Sequence, residues 1–218
     1  MSFVNAIANV CDVVGADVRD VLLGMSYDKR IGSEFMRPGP GFGGPRFPKD
    51  VAALIRMAEE AGYPFALLRG VIEVNNAQFE RVAAKVEAAA GGSLEGIRVA
   101  VWGLAFKART SDLGSSPALE VIGRLRSKGA RVRAHDPAIA VDHHDPALSG
   151  IELCADPYSA CDGAAVLVVL TEWEDFRRVD FTKVAGVMSR PPRIVDARNL
   201  LDPAEVRRLG FHYTGTGR

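Results

Sequence analysis

The apolar residues of the chain follow one period before residues 91–93 and another after them. In the first part they return every three or four positions, as at Val4, Ile7, Ala8 and Cys11. This spacing puts apolar side chains on one face of a helix, so the first part is predicted to be all helix. The same spacing recurs in three later stretches: residues 18–22, 51–58 and 67–86.

Short acids and glycines mark the expected ends of these helices. Asp17 and Asp50 occupy positions where an N-cap side chain would accept the free amides of a first turn. Gly15, Gly24 and Gly62 stand where helices are expected to stop, since glycine readily adopts the left-handed conformation of a C-cap.

A loop rich in glycine and proline interrupts the helical pattern at residues 37–48. Three prolines and four glycines stand between Pro38 and Pro45, and they exclude a continuous helix. Phe42 could pack against a ligand that the glycines allow to approach, but turn geometry alone also demands glycine. Asp50 after the loop is either a helix cap or a buried acid that orients water, and we favour the cap.

Short apolar runs alternate with helical stretches after Gly91, Gly92 and Ser93. Strands alternating with helices predict a parallel sheet with right-handed crossovers. The fold class is therefore α/β, an all-helical amino-terminal part over residues 1–92 followed by a Rossmann-like parallel-sheet domain over residues 93–218. The predicted strands are residues 97–104, 132–135, 165–170 and 194–196, with 211–213 as an edge strand, and the predicted helices are 118–128, 158–161, 181–187 and 204–209.

Composition excludes several classes of protein. The 218 residues are 48% hydrophobic, and 27 Lys and Arg balance 27 Asp and Glu, so we expect a globular protein that binds neither nucleic acid nor a membrane surface. The longest apolar stretch, residues 163–170, is far shorter than the roughly 20 residues that span a bilayer. The first residues carry no basic leader, which predicts a cytoplasmic protein. Three cysteines and four histidines show no ligand spacing, so we expect no disulfide and no metal site.

Basic residues follow two of the predicted strands. Lys107 and Arg109 lie in the loop after the first strand, just before Ser116 and Pro117, which suit the cap and first position of a helix. Arg198 follows a later strand at the equivalent end. On spacing alone, two solvated basic residues are the favoured interpretation of the first loop. Cations after two strands at one edge of a parallel sheet strengthen the case for an anionic ligand such as a diphosphate.

Several strings, taken in order, resemble one protein family along the whole chain. The family is the UDP-glucose/GDP-mannose dehydrogenases, of which the chain resembles the central and carboxyl-terminal parts, with bacterial UDP-sugar 6-dehydrogenases as the most similar members. The strings are FVNAIAN from Phe3, VGAD from Val14, RIG from Arg30, PGPGFGG from Pro38, FPKD from Phe47, GLAFK from Gly103, TEW from Thr171 and DARN from Asp196.

The resemblance implies a chemistry and a set of roles. Members of the family oxidise the C6 alcohol of a nucleotide sugar to a carboxylate with NAD, through a thioester on a loop cysteine. They combine an amino-terminal NAD-binding domain, a helical dimerising domain and a UDP-binding domain. By match of motif, Phe106, Lys107 and Arg198 would contact the nucleotide and its phosphates, Phe35, Phe42 and Gly43 would line the sugar pocket, Arg30 would reach the neighbouring subunit's site, and Asp50 would be the catalytic acid or base.

Three departures from the family pattern bear on activity. Arg46 stands where the family loop has its cysteine, and a guanidinium that stays protonated cannot act as a nucleophile. Gly114 replaces an arginine that reaches the NAD diphosphate in the family. The amino-terminal NAD-binding domain and the family's catalytic lysine and asparagine have no counterpart in the 218 residues. We therefore expect the chain to be inactive by itself.

Three interpretations remain open at this point. The chain is a dehydrogenase whose NAD domain is a separate chain, or a non-catalytic module that binds a UDP-sugar and forms a homodimer, or a gene fragment without activity. The kept residues Phe106, Lys107 and Arg198 favour the binding module. Arg46 points into solvent or pairs with a substrate phosphate.

Overall fold

Helices form the amino-terminal part of the computed structural model, which describes residues 1–218. Gly15 ends the first helix at a φ of 75°, and the Asp17 carboxylate accepts the Arg19 amide at 2.9 Å, so both expected helix ends are confirmed. Gly24 lies inside the second helix, so the end expected there is wrong. The four helices are α1 (Ser2–Val14), α2 (Val18–Ser26), α3 (Phe47–Glu60) and α4 (Ala66–Ala89).

The expected N-cap at Asp50 is also wrong. Helix α3 begins at Phe47, with Arg46 at its N-cap and Pro48 in the first turn, so Asp50 lies within that turn. The proline explains the earlier start, because its fixed φ and missing N–H suit the first positions of a helix. Asp50 is exposed, so the structure does not place a buried acid there either.

A parallel sheet of six strands forms the rest of the chain, in the order β3-β2-β1-β4-β5-β6. This confirms the predicted fold class. The unpredicted strand, β3, has only two residues, too few to produce a readable pattern. The strands are β1 (Arg98–Trp102), β2 (Arg131–His135), β3 (Glu152–Leu153), β4 (Val166–Val169), β5 (Arg193–Asp196) and β6 (His212–Thr214), and the helices are α5 (Pro117–Ser127), α6 (Pro157–Cys161), α7 (Phe181–Val187) and α8 (Pro203–Arg208).

Each face of the sheet has its own hydrophobic core. One core joins alternate strand residues such as Val101 and Val168 to α4 and α5. The other joins Trp102 and Leu167 to α6, α7 and α8, and Trp102 stacks on Phe176 with ring centroids 5.0 Å apart. Because α4 supplies its carboxyl-terminal half to the first core, the helical part is fixed to the sheet by apolar burial.

The carboxyl-terminal residues connect the α1–α2 pair to the sheet. The carbonyl of Gly217 accepts the Val18 amide at 2.8 Å, and the Asp12 carboxylate accepts the Gly217 amide at 3.0 Å. Lys85 of α4 donates both to Asp12 and to the carbonyl of Gly215. None of the helices has both the length and the apolar composition needed to cross a membrane.

Candidate functional site

The strand order identifies one point on the sheet edge as the natural ligand site. Successive strands run outwards from β1 in one direction and from β4 in the other, so the chain leaves a crevice where these two neighbours end. The segment after β1 carries Phe106 and Lys107, and the segment after β4 carries Glu172. Arg198 follows β5, the next strand along the edge.

A buried carboxylate holds the turn after β1 in place. Asp136, which is 2% exposed, accepts the backbone amides of Leu104 at 2.7 Å and Ala105 at 3.0 Å. It also accepts the indole N–H of Trp173 at 3.2 Å. The turns after β1 and β4 are therefore fixed to each other before any ligand binds.

Arg198 is held with one edge of its guanidinium engaged and the other edge free. Its Nε donates to the carbonyl of Leu170 at 2.8 Å and lies 3.2 Å from Glu172 Oε2. The terminal nitrogens make no hydrogen bond within the chain. The side chain is only 18% exposed, and burial lowers the pKa of its guanidinium, so an anion beside it would replace lost solvation.

The glycine-rich loop packs onto this edge of the sheet. A Cβ on Gly39 would lie 3.2 Å from the Arg198 Nη1 atom, and a Cβ on Gly44 would lie 3.1 Å from the Phe106 ring. A Cβ on Gly43 would lie only 2.1 Å from the carbonyl oxygen of Ser115, so glycine is required there by close approach of two backbones. The loop thus joins the nucleotide-side candidates Phe106 and Arg198.

Three amide side chains fix that loop to the helical part. Asn5 of α1 accepts the Gly39 amide at 2.9 Å, and Gln78 of α4 donates to the Gly39 carbonyl at 2.9 Å. Asn75 of α4 pairs with both backbone groups of Phe42, at 2.8 and 3.1 Å. All three amide side chains are buried. Since a buried amide needs its hydrogen-bond partners, these contacts fix the position of the loop.

The two cations after β1 differ in their surroundings. The Lys107 ammonium lies over the Phe106 ring, 5.3 Å from its centroid, and remains exposed. Arg109 is exposed too, with a φ of 65°. Ser116 caps α5 by accepting the Ala118 amide at 3.2 Å, which confirms the predicted start of that helix.

The sugar-side candidates lie around the start of α3. Phe42 is 4% exposed and packs edge-on against Phe47 with centroids 4.9 Å apart. With Gly43 it lines a cavity of about 730 Å³ between α3 and α4. Arg46 and Asp50 are exposed at the amino-terminal end of α3.

Arg30 and Phe35 are not brought to the sheet edge by any contact within the chain. Arg30 has an 89% exposed side chain and pairs with Asp28, which lowers the pKa of that carboxyl. Phe35 is 78% exposed and has a φ of 59°. Both residues precede the glycine-rich loop on an exposed segment.

Comparison with known protein families assigns both parts of the chain. Residues 1–77 match the model of the UDP-glucose/GDP-mannose dehydrogenase family, central domain, and residues 100–203 match that of the same family's UDP binding domain. The chain belongs to the UDP-glucose/GDP-mannose dehydrogenase family. The recognition made from the sequence strings is thereby confirmed.

Individual members of the dehydrogenase family match the whole chain. It is 41% identical to the UDP-glucose 6-dehydrogenase of Rhizobium meliloti and 45% identical to that of Pseudomonas aeruginosa, covering 49% of each. Among solved structures, a UDP-glucose dehydrogenase from Pyrobaculum islandicum is similar with a TM-score of 0.83 at 31% identity, with 47% of it covered. An NDP-N-acetyl-D-galactosaminuronic acid dehydrogenase from Methanosarcina mazei Go1 gives a TM-score of 0.87 at 26% identity. The chain spans about half the length of these relatives.

The family implies NAD, and the residues of this sheet do not fit it. A dinucleotide needs open amides where the first strand leads into a helix, but Ser116 already occupies the first-turn amide of α5. The backbone of Gly43 also packs against Ser115 and Pro117 at that place. Residues Gly39 to Gly44 have the spacing G-x-G-x-x-G, but they follow a coil segment rather than a strand.

Sequence reasoning missed several residues that build the candidate site. Asn75 and Gln78 lie on the buried face of α4. Their polar side chains on an otherwise apolar helix face were the signal in the sequence that could have identified them. Asp136 directly follows β2, and the position of an acid at a strand end could have singled it out. Glu172 belongs to the string TEW, and no local pattern in the sequence assigns it a role of its own.

Proposed function

We propose that this chain binds a UDP-sugar at the carboxyl edge of its sheet and does not oxidise that sugar by itself. Phe106 would contact the nucleotide, while Lys107 and Arg198 would hold its diphosphate. Phe42 and Gly43 would shape the sugar end, with Phe35 beside them. Arg30 would extend into a neighbouring subunit's site.

The free edge of the Arg198 guanidinium is the observation that carries the proposal. Planar guanidinium groups bind phosphate oxygens through paired N–H donors, and those donors are unused in this chain. Its surroundings are desolvated, which strengthens an ion pair with a ligand. The match to the family's UDP binding domain, over residues 100–203, supports the same ligand.

Calorimetric titration with UDP and UDP-glucose tests this proposal. We expect binding in the micromolar to millimolar range, and we expect Arg198→Ala to weaken it at least about tenfold through lost charged hydrogen bonds. Arg177→Ala is the matched control, since Arg177 is an exposed arginine on the turn after β4. No detectable heat at millimolar UDP would contradict the proposal.

The proposed inactivity of the isolated chain rests on two of its residues. Arg46 replaces the thiol nucleophile, and Gly114 replaces an arginine that reaches NAD in the family. A second function remains open because Asp50 is exposed beside Arg46, where another polypeptide carrying an NAD domain could reach it.

Absorbance of NADH distinguishes the two functions. The chain alone, with NAD and UDP-glucose, is expected to produce none. Adding a family NAD-binding domain to Arg46→Cys would restore turnover only if Asp50 serves as the catalytic acid or base. The matched control is the same mixture with Asp50→Asn added to Arg46→Cys. Turnover by the unmodified chain alone would contradict the binding-module proposal.

We also propose a homodimer formed through the helical part, residues 1–92. Helix α1 exposes Val10, Val13 and Val14 by 56%, 82% and 68%, beside an apolar cavity of about 340 Å³ that α1 forms with α4. Exposed apolar faces of this kind favour self-association. Residues 93–218 would then form the ligand-binding domain of each subunit.

Light scattering at micromolar concentration tests the dimer. The unmodified chain is expected to have twice the monomer mass, and Val13→Asp to have the mass of a monomer. Val141→Asp is the control, because Val141 is also exposed but lies in the loop after β2. A monomeric unmodified chain would contradict the dimer.

A further inference from the structure

One carboxylate connects the two cationic segments of the candidate site. Glu172 Oε2 lies 3.2 Å from Arg198 Nε, and Glu172 Oε1 accepts the backbone amide of Ala108, the neighbour of Lys107, at 3.5 Å. We propose that Glu172 is a positioning residue, which orients Arg198 and the Lys107 backbone so that both cations face the diphosphate of a uridine nucleotide. This inference rests on the proposed function, because it concerns the same site.

The geometry around Arg198 determines which edge of its guanidinium a ligand meets. The Leu170 carbonyl and Glu172 both lie at Nε, so they hold the inner edge of the planar group. Of the two terminal nitrogens, Nη1 faces Gly39, where a Cβ would lie 3.2 Å from it, and neither makes a hydrogen bond within the chain. A phosphate that approaches there meets N–H donors already in place. The Arg198 side chain, being held before binding, loses less conformational entropy when the phosphate binds.

Because Glu172 is negatively charged, the direction in which its removal changes UDP affinity tests the proposal. A carboxylate beside an anion site opposes anion binding, so a merely neighbouring charge would weaken UDP binding, and its removal would strengthen it. A positioning role predicts the reverse, since removing the carboxylate frees the guanidinium to adopt other orientations. Glu172 Oε2 is itself buried and accepts no hydrogen bond, so it acts on Arg198 Nε through charge at 3.2 Å, although the Glu172 side chain as a whole is 39% exposed.

Titration of UDP and uridine into five variants separates these cases. Glu172→Gln is expected to weaken UDP binding about tenfold and to leave uridine binding unchanged, because a neutral glutamine removes the ion pair with Arg198 Nε. Glu172→Asp keeps the charge but withdraws it by one methylene, and it is also expected to weaken UDP binding. Glu174→Gln is the matched control, since Glu174 is exposed on the next turn. In the Arg198→Lys background, adding Glu172→Gln should reduce UDP affinity little further, because the two residues act as one unit.

The outcomes distinguish failure of the role from failure of the function. If the unmodified chain binds UDP and Glu172→Gln binds it equally or more tightly, Glu172 is not a positioning residue. Equal weakening of UDP and uridine would also overturn the proposal, since it would indicate general damage to the fold. If the unmodified chain does not bind UDP at all, the proposed function itself is wrong.

Discussion

Aspartates at strand and helix ends have opposite pKa shifts in this chain according to their burial. Asp196 is fully buried at the end of β5, and burial raises its pKa although the Leu201 amide and the Tyr213 hydroxyl donate to it. Asp156 lies near the surface at the start of α6, and the backbone amides of Ser159 and Tyr158 lower its pKa. The raised pKa of Asp196 therefore adds to the free energy of unfolding at low pH, whereas the lowered pKa of Asp156 adds to it at neutral pH.

Replacement of Asp156 by alanine is expected to cost about 1 kcal/mol of stability at pH 7, the typical value of an N-cap. Because the folded pKa is lowered, this contribution is complete above the ordinary aspartate pKa of about 3.9 and is lost as the pH falls through the lowered value. Urea unfolding at pH 7 and pH 3 measures the difference in unfolding free energy between the unmodified chain and Asp156→Ala. The pH-dependent contribution of Asp196 is present in both proteins, so it cancels from that difference.

Asp156→Asn provides the control for that cap, since asparagine caps helices without a titrating charge. Its stability relative to Asp156→Ala should be the same at both pH values. A cost of Asp156→Ala that does not shrink at pH 3 would mean that the charge of Asp156 contributes nothing to the cap.

Gly43→Ala is expected to destabilise the chain by about 1–3 kcal/mol, because the new methyl group would overlap the Ser115 carbonyl and force the loop off α5. Gly24→Ala is the matched control: Gly24 is exposed in α2, a Cβ there would meet nothing within 4 Å, and alanine should stabilise the helix by up to about 1 kcal/mol. Urea unfolding measures both changes. Equal effects of the two substitutions would contradict the close packing of the loop on α5.

At the scale of elements, α3 is less firmly attached than its neighbours. Val51 is its only buried residue, whereas α4 buries Phe79, Val82, Ala83 and Val86 in the core of the sheet. A helix that buries so little apolar surface gains little stability from tertiary packing. The start of the candidate sugar pocket is thus built on a weakly anchored helix.

Hydrogen exchange followed by mass spectrometry is expected to reveal this difference. Peptides from α3 should exchange at least about tenfold faster than peptides from the second half of α4, because their opening needs less apolar surface to be exposed. Helix α5, with five buried residues, is the internal control and should exchange slowly. Protection of α3 equal to that of α5 in the monomeric Val13→Asp variant would contradict this account.

Periodicity predicted most elements because each is encoded by neighbours in sequence. Residues 181–187 were predicted as a helix and form α7 with the same bounds. The strand predicted over 97–104 ends at Trp102, since Gly103 has a φ of 96° and turns the chain away from the sheet. The contact of Gly39 with Arg198 could not be predicted, because no local pattern encodes an approach between residues so far apart in sequence.

Candidate roles depended on a different kind of information from the fold. Sequence reasoning alone identified Lys107 and Arg198 as cations at one sheet edge, and the parallel order of the strands explains why that worked. Asp50 remained ambiguous because a cap and an acid use the same side chain. Glu172 was passed over because its importance depends on Arg198 and Ala108, which reach it from separate segments.

At the scale of the whole molecule, the site depends on both parts of the chain. The sheet supplies the candidates Phe106, Lys107 and Arg198, while Asn75 and Gln78 of α4 hold the loop that packs against Phe106 and Arg198. Because α4 also belongs to the core of the sheet, the proposed binding at the edge would be physically linked to the stability of the helical part. Since the chain spans about half the length of its relatives, UDP binding is a more direct test than turnover.

A crystal structure of the chain with UDP tests the central claim most directly. We predict the diphosphate within hydrogen-bond distance of the Arg198 terminal nitrogens and the Lys107 ammonium, with Glu172 still at Arg198 Nε. A diphosphate bound elsewhere, for example in the cavity between α3 and α4, would contradict the account.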